Sequence, residues 1–230
     1  MRKGILLVIA VLCFSKYASA QIDEGQVGAW YMYFWNTSHQ NSRFGAQGDI
    51  QYRNWNIAGD LQQLMLRGGV TYKGENSKTK FTLGYANITT AAFGDDDSSF
   101  GESRIYQEAL IPQKVGSKFY MRHRLRLEQR FVEDQDFRTR FRYALFINVP
   151  LNQDDLSKGA FYISFYDELF LNGEKEISET ARVKIYDRNR AYLALGHSVS
   201  ENMKVQFGYM LQSTPNVSKG QLQLSLHHVL

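Results

Sequence analysis

The sequence has 230 residues, with 27 Lys and Arg against 23 Asp and Glu, a single cysteine, and Phe, Tyr and Trp making up 14% of the chain. One cysteine excludes a disulfide-stapled secreted scaffold. Beyond the N-terminal segment no stretch approaches the run of about 20 apolar residues that a transmembrane helix needs.

The chain opens on a pattern of export. Arg2 and Lys3 form a basic start, Ile5 to Phe14 an apolar stretch of signal-peptide length, and Ala18-Ser19-Ala20 a small-residue cleavage pattern. The apolar run is too short for a membrane-spanning anchor. Cys13 is flanked by Leu12 and Phe14, which suit a lipidated cysteine poorly. Residues 1–20 are therefore expected to be cleaved after Ala20, leaving one domain over 21–230. Arg2, Lys3, Lys16 and Cys13 leave with the leader, so the 27 basic residues fall to 24 against 23 acids. A near-neutral mature chain gives no argument for nucleic acid as a partner.

After the leader the hydropathy period is two. The expected strands are 26–37, 43–53, 62–73, 79–88, 104–111, 118–131, 137–149, 159–171, 189–199, 203–212 and 220–230. In the second, Phe44, Ala46, Gly48, Ile50 and Tyr52 alternate with Arg43, Gln47, Asp49, Gln51 and Arg53. In the third, Leu64, Leu66, Val70 and Tyr72 alternate with Gln63, Arg67, Thr71 and Lys73. The clearest region is 118–149, where Arg122, Arg124, Arg126, Glu128 and Arg130 share one parity and Met121, His123, Leu125, Leu127 and Phe131 the other. The parity returns with Arg138, Arg140 and Arg142 against Phe137, Thr139, Phe141, Tyr143 and Leu145. A helix would scatter these arginines, whereas a strand gathers them on one face. The 159–171 run is less clean, with Asp167 on its apolar parity.

Several of these runs exceed the usual strand of about five or six residues and match the roughly 9–11 that a tilted strand needs to cross a bilayer. If 220–230 runs towards the periplasm, the mostly longer connections 54–61, 89–103, 132–136, 172–188 and 213–219 share one side, as in bacterial barrels. Eleven segments conflict with the even strand number of single-chain bacterial barrels. The expected count is therefore ten or twelve, with a missed strand inside 172–188 or a partial one at 26–37. The fold class is all-β, an antiparallel transmembrane barrel with a polar, Arg-rich lumen. A nearly charge-free apolar parity, and aromatics at run ends (Trp30, Tyr31, Tyr33 and Trp35; Tyr52 and Trp55; Phe131 and Phe137), favour lipid over a soluble barrel.

The segments Gly28-Ala29-Trp30-Tyr31, Leu66-Arg67-Gly68-Gly69, His123 through Phe131, Phe141-Arg142-Tyr143, and Asn189-Arg190 followed by Gly196 resemble the domain-of-unknown-function family 2490. The resemblance covers essentially the whole chain after the leader. It implies a bacterial outer-membrane β-barrel and transfers no activity and no catalytic residue.

Candidate chemistry is sparse. His197 and Ser198 are neighbours, and His197 and Ser200 three apart, so neither pair shares a strand face as a nucleophile and its base must; Asn189 lies upstream. His227 and His228 likewise point apart and form no chelate. Asp95-Asp96-Asp97 reads as a solvated loop, and Gly68-Gly69 as close backbone approach within a strand. No enzyme, metal or cofactor is expected, with an outer-membrane lipid hydrolase as a distant alternative. What remains is the ladder Arg122, Arg124, Arg126, Arg130, Arg138, Arg140 and Arg142, which must face the lumen because each cation would cost about 2–4 kcal/mol at a bilayer midplane. Glu128, Glu108, Glu168 and Asp49 are the expected acidic partners. The expectation is a structural or binding barrel of the Gram-negative outer membrane with a neutralised interior. Its partners are outer-membrane lipid and, in transit, the barrel-assembly machinery; the alternative is a narrow channel or pocket for anionic solutes.

Overall fold

The computed structural model describes residues 25–37, 42–75 and 78–230; the expected leader lies outside the described residues. Eleven strands form one closed barrel: β1 (Gly28–Asn36), β2 (Phe44–Asn54), β3 (Leu61–Lys73), β4 (Lys80–Ala91), β5 (Ser99–Val115), β6 (Phe119–Val132), β7 (Arg138–Pro150), β8 (Phe161–Asn172), β9 (Tyr186–Ser198), β10 (Met203–Ser213) and β11 (Ser218–Val229). Each strand is hydrogen-bonded antiparallel to its sequence neighbour. The ring closes where β1 runs parallel to β11, Gly28 opposite Gln221 and Asn36 opposite Val229.

The count corrects the expected ten or twelve. The even count rests on the even strand number of single-chain bacterial barrels; a ring closed by one parallel seam can hold an odd number. β1 is a wall strand paired on both sides. Between β8 and β9, residues 173–185 add no further strand and contribute only the bridge between Glu176 and Arg182. The loop asymmetry also weakens. β4 and β5 reach to Ala91 and back from Ser99, shortening the expected 89–103 connection, and 151–160 on the opposite end is nearly as long as 173–185.

Parity decides the wall. Leu66, Val70, Leu83, Leu193, Leu195 and Phe207 are exposed on the outside, while Glu128, Arg126, Arg140 and Gln221 are buried within. Among outward positions of the described strands Asp167 is the only Asp, Glu, Lys or Arg, and Asn189 on β9 donates to its carboxylate at 3.0 Å. A register shift lies between Phe170 and Leu171, beyond Asp167 on β8.

Inside, the barrel has two halves. Trp30, Tyr192, Ala194 and Met210 form an apolar cluster, flanked by Met32 and Tyr166, along β1, β9 and β10. This corrects the counting of Trp30 among the run-end aromatics that favour lipid: it is 2% exposed and lies on the inward parity of β1. Trp35 stays on the outer parity. The opposite half is charged. Two tyrosines lie across glycines of the neighbouring strand, Tyr106 over Gly84 and Tyr162 over Gly196. A Cβ on either glycine would fall 2.2 Å from a ring carbon, so only glycine leaves room for the ring. Gly69 is similarly close to the β4 backbone, but the space over Gly68 is open, so the close approach expected of that pair holds for one of the two.

Candidate functional site in an arginine-rich lumen

The β5–β6–β7 register places like charges opposite one another. Arg104 faces Arg130, Arg130 faces Arg138, and Arg126 faces Arg142. Directly opposed cations destabilise a sheet, and carboxylates interleaved at the same inward parity relieve them. Glu128 is the centre, with 1% exposure. It accepts from Arg140 Nε and Nη2 at 3.0 and 2.7 Å and from Arg142 Nη1 at 2.6 Å, with Arg104 and Arg126 each at 3.7 Å.

The other acids extend the network. Glu108, across the strand pair from Arg126, accepts from that guanidinium and from Gln47 at 3.1 Å. Glu168 reaches Arg124 at 2.7 Å and Arg142 at 2.6 Å. Glu102 takes both Arg104 nitrogens at 2.6 Å and also holds Arg130. Asp187 bridges Arg140 at 2.9 Å and Arg188 at 3.2 Å. Asp49, expected to neutralise the ladder, pairs instead with Arg67, its direct cross-strand neighbour on β3, at 2.9 Å. Proximity across one strand pair wins over reach across the lumen.

Of the seven ladder arginines, Arg124, Arg126, Arg130, Arg140 and Arg142 join this network, and two do not. Arg122 lies at the β6 start with its guanidinium 5.3 Å from the Phe146 ring. Arg138 is 7% exposed, makes no ion pair among the described residues, and its Nε has no hydrogen-bond partner. Glu102, Asp187, Arg53, Arg67, Arg104, Arg188 and Arg190 belong to the lumen as well. Among the described residues Arg53 and Arg190 have no carboxylate within 4.0 Å and bond glutamines: Arg53 to Gln51 and Gln63, Arg190 to Gln212 at 2.8 Å. Both stack on Trp30, at 3.8 and 4.8 Å, and Arg190 also on Phe170 at 4.8 Å. Among the described residues eight lumen arginines thus have carboxylates and four (Arg53, Arg122, Arg138 and Arg190) do not, so neutralisation is local rather than complete.

This layer divides the interior. On the side of the β5–β6 and β7–β8 connections lies a cavity of about 240 Å³, lined by seven arginines, Lys80 and the carboxylates Asp49, Glu108 and Glu168. At the other end a cavity of about 210 Å³ is lined by nine arginines and a single carboxylate, Glu102. Arg53, Arg67, Arg142 and Arg190 border both.

The remaining candidates stay apart. His197 stacks outside on Phe161 at 4.3 Å, whereas Ser198 is fully buried and donates to the Leu156 carbonyl at 2.9 Å. The Ser200 hydroxyl accepts from the Asn202 amide at 3.3 Å, and Asn189 is bound to Asp167. His227 faces inward, stacked on Phe34 at 4.8 Å, and the His228 ring contacts the Tyr33 hydroxyl at 3.0 Å. In the loop before β5, Asp96 accepts the Ser98 amide at 2.9 Å, and that bond holds its carboxyl below the ordinary range.

A family model described as "Protein of unknown function (DUF2490)" matches residues 27–223, from the start of β1 into β11. No curated protein and no solved structure matches the chain.

Proposed function

We propose that this chain, which belongs to the DUF2490 family, is exported and inserted into an outer membrane, where it serves as a filled binding or structural barrel rather than an open pore. The observation that carries the reading is the outer wall. Large apolar side chains are exposed on every strand, and on the strands charge is confined almost wholly to the interior. A soluble monomer seldom leaves an apolar patch of more than a few hundred Å² uncovered, and hydrocarbon is the solvent such a wall fits. The closed ring leaves no sheet edge with unpaired backbone groups, as lipid requires.

The filled interior supports the second half of the reading. Barrels of about eight strands have interiors filled by side chains, and those of 16–18 hold an aqueous channel. Here eleven strands enclose a space crossed by the Glu128-centred network and by the Arg53–Trp30–Arg190 stack. Expression with the natural leader, followed by sucrose-gradient fractionation, should place the folded protein with outer-membrane markers and give heat-modifiable gel migration. In planar bilayers the same preparation should pass negligible current. Recovery as a free periplasmic protein would overturn the membrane assignment, and steady ion-selective conductance would overturn the filled lumen.

A further inference from the structure

We infer that the cavity at the end of the barrel near Gln135 and Arg188 is a binding site for a compact phosphate-bearing anion, the shared chemistry being one or two phosphoryl groups. The inference rests on the filled-barrel reading for its setting and adds the ligand class and its residues. Nine arginines and one carboxylate line it; six of the nine are paired with acids of the lumen, and Arg53, Arg138 and Arg190 have no carboxylate partner among the described residues. Glu102 is occupied by Arg104 and Arg130, and Asp187 by Arg140 and Arg188. Among the described residues Arg138, 7% exposed, has no ion pair and an unsatisfied Nε, while Arg53 and Arg190 bond only neutral amide oxygens and stack on rings.

A buried guanidinium without a partner is destabilising in a folded protein unless something completes it. Guanidinium groups present planar forks that match phosphate oxygens two at a time, so an arginine-lined pocket favours phosphate over a monovalent halide. The volume of about 210 Å³ corresponds to roughly seven waters at about 30 Å³ each, room for a diphosphate but not for a folded polymer. The cavity near β6's start fits less well, because Asp49, Glu108 and Glu168 line it and would repel a polyanion.

The test uses the refolded barrel in zwitterionic detergent, titrated calorimetrically with sodium pyrophosphate, and with sodium chloride at matched ionic strength. Wild type should bind pyrophosphate saturably and melt at a higher temperature with it, and chloride should do neither. Arg138→Gln should weaken binding about tenfold, and Arg138→Gln with Arg190→Gln about 100-fold, or about 2.8 kcal/mol at about 1.4 kcal/mol per tenfold. Arg122→Gln, at the other cavity, should bind as wild type does. If the double variant fails to fold, the single one still decides.

Transfer into vesicles distinguishes the sources of the phosphate. Stabilisation by phosphatidylglycerol over phosphatidylcholine that Arg138→Gln abolishes marks a headgroup ligand, and its absence beside tight pyrophosphate binding marks a free phosphoanion. A heat-modifiable wild type that shows no pyrophosphate binding overturns the inference and leaves the membrane reading intact. Binding by a barrel that fractionates as a soluble protein does the reverse.

Discussion

Glu128→Gln is expected to destabilise the barrel by about 3–5 kcal/mol, the range for removing one partner from a buried ion pair. Glu128 is 1% exposed, accepts from Arg140 and Arg142, and lies 3.7 Å from Arg104 and Arg126. Glutamine keeps the shape and one acceptor oxygen but removes the one carboxylate that all four guanidiniums share, leaving each with a single other acid. Its amide group also turns two donor hydrogens towards cations. Urea unfolding of the refolded protein, followed by gel migration without boiling, would measure the loss. Adding Arg140→Gln should recover part of it, because the cluster around position 128 then holds one cation fewer and the two sites share a network. A Glu128→Gln midpoint equal to wild type would show that Glu128 is not needed and that the remaining acids compensate these arginines.

Leu125→Arg should impair assembly, whereas Arg124→Leu, one position away, should not do so in the same manner. Leu125 is exposed on the outer wall and Arg124 faces inward, bound to Glu168 at 2.7 Å. In a lipid-facing wall a cation costs about 2–4 kcal/mol near the midplane, falling to about 0–1 near the interfaces. Arg124→Leu acts through Glu168, which keeps Arg142 at 2.6 Å, so its effect is on interior pairing. Heat-modifiable yield in outer-membrane fractions distinguishes the two. Leu145→Arg, on the same parity of β7, should behave like Leu125→Arg. Full folded yield for both leucine variants would contradict a lipid-facing wall.

Alternation made the wall legible. The arginine parity of 118–149 placed β6 and β7 within one or two residues and assigned their inward faces correctly. Strand number was less accessible, because the even-number expectation applies to a ring without a parallel seam, and the β1–β11 pairing leaves no mark on either strand alone. Glu102 was missed because Asp95 to Ser98 reads as a polar loop and hides the strand start. The even positions Glu102, Arg104, Tyr106 and Glu108 carried the missing signal. Asp187 lay inside a segment assigned to a connection.

Partner choice was the least legible layer. Asp49 and Arg67 could be placed on inward parities, but which residue meets which depends on register, and a one-residue change of register would re-pair every charge. Trp30 shows the same limit. Its aromatic neighbours suggested a girdle, and only the burial of alternate β1 residues reveals that it is the platform for Arg53 and Arg190.

The wall assignment is tested most directly by spin labels at single cysteines in the chain from residue 21, reconstituted in phospholipid vesicles. Leu193, Leu195 and Phe207 are 60%, 54% and 56% exposed on the outer face, and Ala194 between the first two is 6% exposed inside. Labels at Leu193, Leu195 and Phe207 should collide readily with oxygen and hardly at all with a water-soluble nickel complex, as in hydrocarbon, while Ala194 between them should break the pattern. Free access of the nickel complex to all three outer sites, in a folded sample, would contradict a barrel that spans the membrane.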